Sequence, residues 1–409
     1  MQVLLISYTF PPYPGIGGRR WTKIAKYLTK LGCTVHVVHA KNPFLEESIW
    51  VNDVNGNKNI VPYSFKSGYP TILMKKPNTV FQKFHYRLLL FYVNLFSKGT
   101  PYDRAIFDRK KIIKLSEEII YKFQIQNVIV TSAPFSLSYF SLELKKKFKS
   151  LNLMIDFRDP WTWGSLYGFS GLKNNRITFE KEMEKNVVEN ASIVFVPVDV
   201  MRDKLVKLYP NFESKIKTLR HSFDADEIVF NKSSNQTMVV ITFYGTLYEE
   251  IGNYFKLLAK DLSSKKDKIE FHIYSDSTKY IDLFEEHGLI NNNVFYHGIL
   301  PTIELFEKIS TSNFVLLVHP KRGVDSISTK FYEIIYSRTP ILYVGEEGKT
   351  SEFITSNKVG YTFTEKNFAD TFLSVVLGNI PYSYNSTFAV DSFSFENTSK
   401  LLIDNYFIL

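Results

Sequence analysis

The chain opens on an apolar run, Val3 to Tyr8, followed by Pro- and Gly-rich punctuation and then by Trp21 to Leu31, whose apolar positions recur at helical spacing. Gly32 stops that helix, and Thr34 to His39 reads as a second strand. Strand, helix and strand within forty residues predict a βαβ unit with a glycine-bearing first turn, and hence a parallel sheet. Further strands are expected at Asn127 to Thr131, Leu153 to Asp156 and Ile193 to Val196, with helical patterns before and between them. After Arg220 to Gln236, a stretch rich in charge, Ser and Asn, the alternation restarts with Met238 to Tyr244. It continues through strands at Ile269 to Tyr274, Val294 to His297, Phe314 to Val318 and Pro340 to Val344, and helices near 250–263, 301–309 and 328–337. The pattern predicts two doubly wound α/β domains of similar size.

Length agrees: 409 residues at ~150 per domain give two or three domains, and 44% hydrophobic with 22% charged content is that of a chain with packed cores. The single cysteine, Cys33, excludes an intramolecular disulfide and a cysteine metal cluster, which fits a reducing compartment. The first residues lack the basic start and cleavage site of a secretory signal and are read as folded structure. No apolar run reaches the ~20 residues of a spanning helix. Fifty Lys and Arg against forty-one Asp and Glu give +9, a balance that favours anionic partners: nucleic acid, phosphorylated small molecules or a membrane face. Dispersed charge and the lack of any recognition-helix or zinc-finger pattern exclude nucleic acid. Aromatic content of 16% suits a lipid-facing surface, or reflects an AT-rich codon bias.

Three places carry candidate chemistry. Gly15-Ile-Gly17-Gly18-Arg19-Arg20 lies between the first strand and its helix, where backbone N–H groups and the positive helix end hold an anion, or where the glycines simply make a tight turn. Arg20 stands in the third glycine's place of the dinucleotide fingerprint, and no acid ends the second strand, so a dehydrogenase is disfavoured. Asp156-Phe-Arg158-Asp159-Pro-Trp161 puts two carboxylates and a guanidinium at a strand's carboxyl end. Arg158 either pairs with one of these aspartates or leaves one to orient an acceptor hydroxyl. In the second half, Asp325-Ser-Ile-Ser328-Thr329-Lys330-Phe-Tyr-Glu333 starts a helix whose N–H groups and Lys330 suit a diphosphate, with Glu333 one turn on to accept from ribose hydroxyls. The same spacing is also that of an ion pair on an ordinary capped helix.

In these motifs and their order, the Pro-Pro-x-x-Gly-x-Gly-Gly loop, Asp156 to Trp161, His221-Ser-Phe-Asp224, Tyr244-Gly245-Thr246 and Lys330…Glu333, the sequence resembles the bacterial family 4 glycosyltransferases over nearly its whole length. The resemblance implies a GT-B fold, α/β with two Rossmann-like domains facing a central cleft. Residues 1–220 would form the acceptor-side domain, 221–390 the nucleotide-sugar domain, and 391–409 a helix returning to the first. It implies transfer of a sugar from a UDP- or GDP-sugar to a saccharide or lipid-linked saccharide with retention, in capsule, O-antigen or exopolysaccharide synthesis. Gly17, Gly18, Arg19, Gly245, Thr246, Ser328, Thr329, Lys330 and Glu333 would bind the donor, and Lys330, Asp159, Arg158 and Asp325 would serve catalysis. Glu333 is the second acid of the family's Glu-x7-Glu pattern, whose first acid falls on Asp325. The family's Arg and Lys after the first strand of the second domain are absent from Gly245 to Glu250. No cofactor beyond the donor and no metal are expected, since the histidines, His221 and His319 among them, show no metal-ligand spacing. A sugar-nucleotide 2-epimerase and a non-catalytic saccharide-binding or scaffold module are the competing readings.

Lys83 to Lys98 mixes basic with apolar residues and precedes a basic run, Arg104 to Lys114. Peripheral membrane contact through 83–114 is one expectation, and a helix buried in the first domain is the other. The location expected is the cytoplasm, at the inner face of the membrane if that contact is made.

Overall fold

A computed structural model describes residues 1–164, 169, 171–228, 237–319, 327, 329–380 and 384–408. The chain divides into a first unit, Met1–Arg220 with Phe395–Leu409, and a second, His221–Ser394.

The first unit is built on β1 (Gln2–Ser7), α1 (Arg19–Lys30), β2 (Thr34–Ala40), β3 (Ile60–Phe65), α2 (Val80–Phe96), α3 (Arg109–Phe123), β4 (Asn127–Ser132), α4 (Ser136–Lys147), β5 (Asn152–Phe157), α5 (Asn174–Asn190), β6 (Ile193–Val196), α6 (Asp199–Leu208) and β7 (Ile216–Thr218). Its seven strands are all parallel in the order β3-β2-β1-β4-β5-β6-β7. Leu5 pairs with Val37 on one side and Ile129 on the other, so β1 is central and apolar on both faces, as a sheet covered by helices requires. β3 contains Pro62, which cannot donate to a ladder, and lies at the sheet edge, where that omission costs nothing.

The second unit repeats the plan with β8 (Val239–Tyr244), α7 (Gly252–Ser263), β9 (Ile269–Tyr274), α8 (Ile281–Glu285), β10 (Val294–Tyr296), α9 (Thr302–Thr311), β11 (Phe314–Val318), α10 (Thr329–Ser337), β12 (Ile341–Val344), α11 (Lys349–Asn357), β13 (Gly360–Phe363) and α12 (Phe368–Val376). Six parallel strands run β10-β9-β8-β11-β12-β13. Period-two alternation sorts the core: Leu316 packs with Phe243, Phe255 and Phe271 on one face, while Val315 and Leu317 pack with Phe306, Phe331 and Ile334 on the other. Both sheets reverse direction beside their first strand, between β1 and β4 and between β8 and β11. Such switch points are where open α/β sheets take ligands, outside the strands' carboxyl ends.

The last helix, α13 (Phe395–Tyr406), packs on α1 in the first unit. Leu402 and Phe407 enter that unit's core, and Asn127 and Asn152 donate from Nδ2 to the Ile408 and Tyr406 carbonyls at 2.8 and 2.7 Å.

Of the buried carboxyls described in the first unit, three have a pKa that burial raises: Glu180, Glu184 and Asp103. Glu180 accepts from Thr100 N at 2.6 Å and Trp161 Nε1 at 2.8 Å, and Gly99 carries no side chain because a Cβ there would overlap that carboxyl. Glu184 accepts from Thr162 N and Tyr209 OH, and Asp103 from Ser136 N and Oγ. Burial raises the pKa of all three, Glu180 up to about 7. Native Glu180 therefore keeps a proton that the unfolded chain releases above about 4.5, and stability falls as pH rises from there through about 7. All four tryptophans, Trp21, Trp50, Trp161 and Trp163, lie in this unit, so their fluorescence reports its unfolding. The expected result is a urea midpoint that falls between pH 5 and 8, by up to roughly 3 kcal/mol from Glu180, with a shallower slope in Glu180→Gln. A flat or rising midpoint would contradict it.

Candidate functional site

At the switch point of the first unit, β1 leads into the Gly15–Gly18 loop and then α1, which starts without a side-chain cap. Gly17 and Gly18 are glycines because their neighbours are close: a Cβ at Gly17 would meet Thr9 Oγ1 at 3.0 Å and Arg158 Nη1 at 3.2 Å, and one at Gly18 would meet the Thr9 carbonyl at 3.1 Å. Arg158 pairs with neither aspartate of its own segment. Its Nε donates to the Ser132 carbonyl at 2.8 Å, Nη2 to that of Ala133 at 3.0 Å, and Nη1 to that of Gly17, so it clasps the glycine loop to the loop after β4. Asp159 lies partly buried just beyond β5.

Asp156 is fully buried and answers to α1. Arg20 Nε and Nη2 donate to its two oxygens at 3.2 and 3.4 Å, and Trp21 Nε1 donates at 2.6 Å. Arg20 also donates to the Leu219 and Arg220 carbonyls. Arg19 is buried, with its guanidinium 5.8 Å from the centre of the Phe395 ring. Of the two arginines that the sequence offered to an anion, Arg20 thus directs its charge to Asp156 and to backbone carbonyls.

The second unit's switch point gathers more chemistry. β8 ends at Tyr244, and Gly245 follows with φ of 112°. The Lys330 side chain from the first turn of α10 reaches back over Gly245, donates to the Tyr244 carbonyl at 3.4 Å, and sits 5.4 Å from the centre of the Tyr244 ring. The positive φ at Gly245 favours glycine there, and a Cβ would displace the Lys330 ammonium from its place over the turn. Glu333 is buried, and its Oε2 accepts from Tyr244 OH at 3.3 Å. Burial lowers the Lys330 pKa, and the carboxylates of Glu333 and Asp276 oppose that shift. A poorly hydrated ammonium at a helix start is suited to an anion that replaces its lost water. Thr246 is exposed beside it, and Thr329 begins α10; Asp325 and Ser328 lie outside the described residues.

Two groups here were not assigned from sequence. Asp276, just past the end of β9, acts on Lys330, and the Ser-Asp-Ser turn was its only signal. His319 stands at the end of β11, the strand beside β8. It is 93% buried, burial lowers its pKa, and among the described residues its Nδ1 has no hydrogen-bond partner.

No protein-family model matches the sequence, and no curated protein matches it. Solved structures do. A glycosyltransferase from Rickettsia africae has a TM-score of 0.61 at 14% identity, with 99% of this chain and 94% of that one covered. HepE from Anabaena, in complex with UDP, gives 0.64 at 11% identity with 99% of both covered. WaaG, a glycosyltransferase involved in lipopolysaccharide biosynthesis, gives 0.54 at 11% identity, covering 98% of this chain and 95% of that one. A putative UDP-N-acetylglucosamine 2-epimerase from Listeria monocytogenes shares the architecture at 0.53 and 12% identity, covering 98% and 94%, so fold alone does not separate transfer from epimerisation. The seven- and six-stranded parallel sheets and these likenesses together give the chain the GT-B fold, with two Rossmann-like domains.

Proposed function

We propose that the protein is a retaining hexosyltransferase that moves a sugar from a UDP- or GDP-sugar to a saccharide or lipid-linked saccharide acceptor. We place it in cell-envelope polysaccharide synthesis, on the cytoplasmic side of the membrane. The observation that carries the reading is Lys330 held over Gly245 with Glu333 one turn away at the switch point of the second unit. In this reading Glu333 accepts hydrogen bonds from two ribose hydroxyls, and the start of α10 with Lys330 receives the diphosphate. The bond between the anomeric carbon and the phosphate oxygen breaks, the acceptor oxygen bonds to that carbon on the same face, and the acceptor proton passes to the departing diphosphate. Lys330 stabilises the charge that develops there, a role this reading gives to the ammonium and not to a metal ion. Arg158 acts by holding the glycine loop, and Asp159 and Asp325 are the carboxylates assigned to the acceptor and the sugar.

The test is a thermal-shift screen of the folded protein against UDP, GDP, ADP, CMP and their common sugars, since a ligand of the native state raises the melting temperature. A shift with one nucleoside diphosphate, followed by nucleotide release that depends on added acceptor, is expected. Conversion of the donor to its 2-epimer with the nucleotide still attached would replace transfer by epimerisation, and no shift with any nucleotide would favour the scaffold module.

A further inference from the structure

Helix α2 is amphipathic the wrong way round for a core element. Tyr86, Leu89, Leu90 and Val93 pack on Tyr69, Leu73 and Phe107, which seats the helix on the first unit. Another stripe faces outward: Phe81, Phe84, Leu88, Phe91, Tyr92 and Leu95 are each 50–71% exposed. They recur every three or four residues, so they form one continuous apolar face. The helix is held at its exposed start by a reciprocal cap, with Thr79 Oγ1 accepting from Gln82 N at 3.2 Å and Gln82 Oε1 accepting from Thr79 N at 3.4 Å. Six large exposed side chains on one helix exceed the scattered apolar residues of an ordinary surface.

Charge identifies the occupant. Between Asp53 and Asp103 the sequence has no acidic residue and seven basic ones, Lys83 and Arg87 on α2 among them. The first unit has 35 Lys and Arg against 19 Asp and Glu, +16, whereas the second has 15 against 22, −7. A symmetric contact with a second copy would set this basic, acid-free helix against itself. An anionic bilayer offers both what the stripe lacks, an apolar phase, and what the charge lacks, counter-ions. We infer that α2 is a membrane-docking helix that lies in the plane of an anionic lipid surface, with Phe84, Leu88, Phe91 and Leu95 in the acyl boundary and Lys83 and Arg87 at the headgroups. The surface is narrower than the 83–114 read from sequence, because Arg109 in the later basic run pairs with Glu143 at 2.6 Å and Lys111 with Asp108 at 3.2 Å. The inference rests on α2 and stands apart from the transferase reading, since its test uses no nucleotide.

Co-sedimentation of the full chain with vesicles of phosphatidylcholine alone, and of phosphatidylcholine with phosphatidylglycerol, reads the docking directly. Binding to the anionic vesicles that weakens with salt is expected, reduced about tenfold or more in Lys83→Glu/Arg87→Glu and lost in Phe84→Glu/Leu88→Glu. Those side chains are at the surface, so both variants should keep the tryptophan-monitored urea midpoint. As an independent reading that leaves the charges in place, Leu88→Cys labelled with an environment-sensitive dye should shift to the blue on anionic vesicles; Cys33, the one native thiol, is buried. Equal sedimentation with neutral vesicles, full binding by the Phe84→Glu/Leu88→Glu variant, no spectral shift, or a dimer dissolved by that variant would each overturn the inference.

Discussion

Lys330→Ala should lower the kcat of sugar transfer by roughly 10²–10³-fold while changing the donor KM only a few-fold. The physical reason lies in where the ammonium is. It is pressed over Gly245 at the start of α10, partly stripped of water, and the Glu333 and Asp276 carboxylates act on it electrostatically. An ammonium so placed gains most from a ligand whose negative charge grows, which in the proposed transfer happens as the sugar leaves the diphosphate and not when the donor binds. Gly245 to Glu250 contains no Lys or Arg, so no cation follows β8 in sequence to share that charge. Steady-state kinetics check the split: a rise in KM with kcat intact would make Lys330 a ground-state binder, and unchanged kinetics would remove it from the reaction.

Asp156→Ala should destabilise the first unit by about 3–5 kcal/mol. Arg20 and Asp156 are 4% and 0% exposed, so the substitution takes a buried carboxylate away from the Arg20 guanidinium and leaves the Trp21 N–H without its acceptor. The pair also ties α1 to the end of the unit's main segment, through the Leu219 and Arg220 carbonyls that Arg20 holds. Asp156→Asn keeps the shape and should cost less. Urea unfolding read by tryptophan fluorescence measures both; equal midpoints for wild type and Asp156→Ala would show that the pair contributes nothing net.

Much of this architecture was legible because the central strands are buried on both faces and so spell continuous apolar runs. Val3 to Tyr8, Asn127 to Thr131 and Phe314 to Val318 each signal a strand without help from tertiary structure, and β1, β4 and β11 lie there. Three of the four edge strands went unread, whereas the fourth, β10, was read at Val294 to His297. β3 alternates with polar residues around Pro62, β7 is three residues with a lysine at its centre, and β13 opens on Gly360, so none of these three spells an apolar run. The charged residues were harder still, because a sequence lists side chains and says nothing of carbonyls. Arg158 has two aspartates within two residues and uses neither; its partners are backbone oxygens brought to it by loops 25 to 141 residues away. Asp156 finds its counter-charge in Arg20, 136 residues earlier. The Lys330–Glu333 spacing was visible because it lies within one helical turn, whereas Asp276 enters from another strand end and left no such mark.

Isothermal titration of the folded protein with the nucleoside diphosphate that gives the largest thermal shift, in wild type and in Glu333→Ala, tests the central claim most directly. One nucleotide per chain, bound at least about tenfold more weakly when Glu333 is removed, is the result predicted for a ribose-holding carboxylate at the switch point of the second unit. Equal affinity in the two proteins would place the nucleotide elsewhere, and the absence of binding to folded wild-type protein would contradict the account.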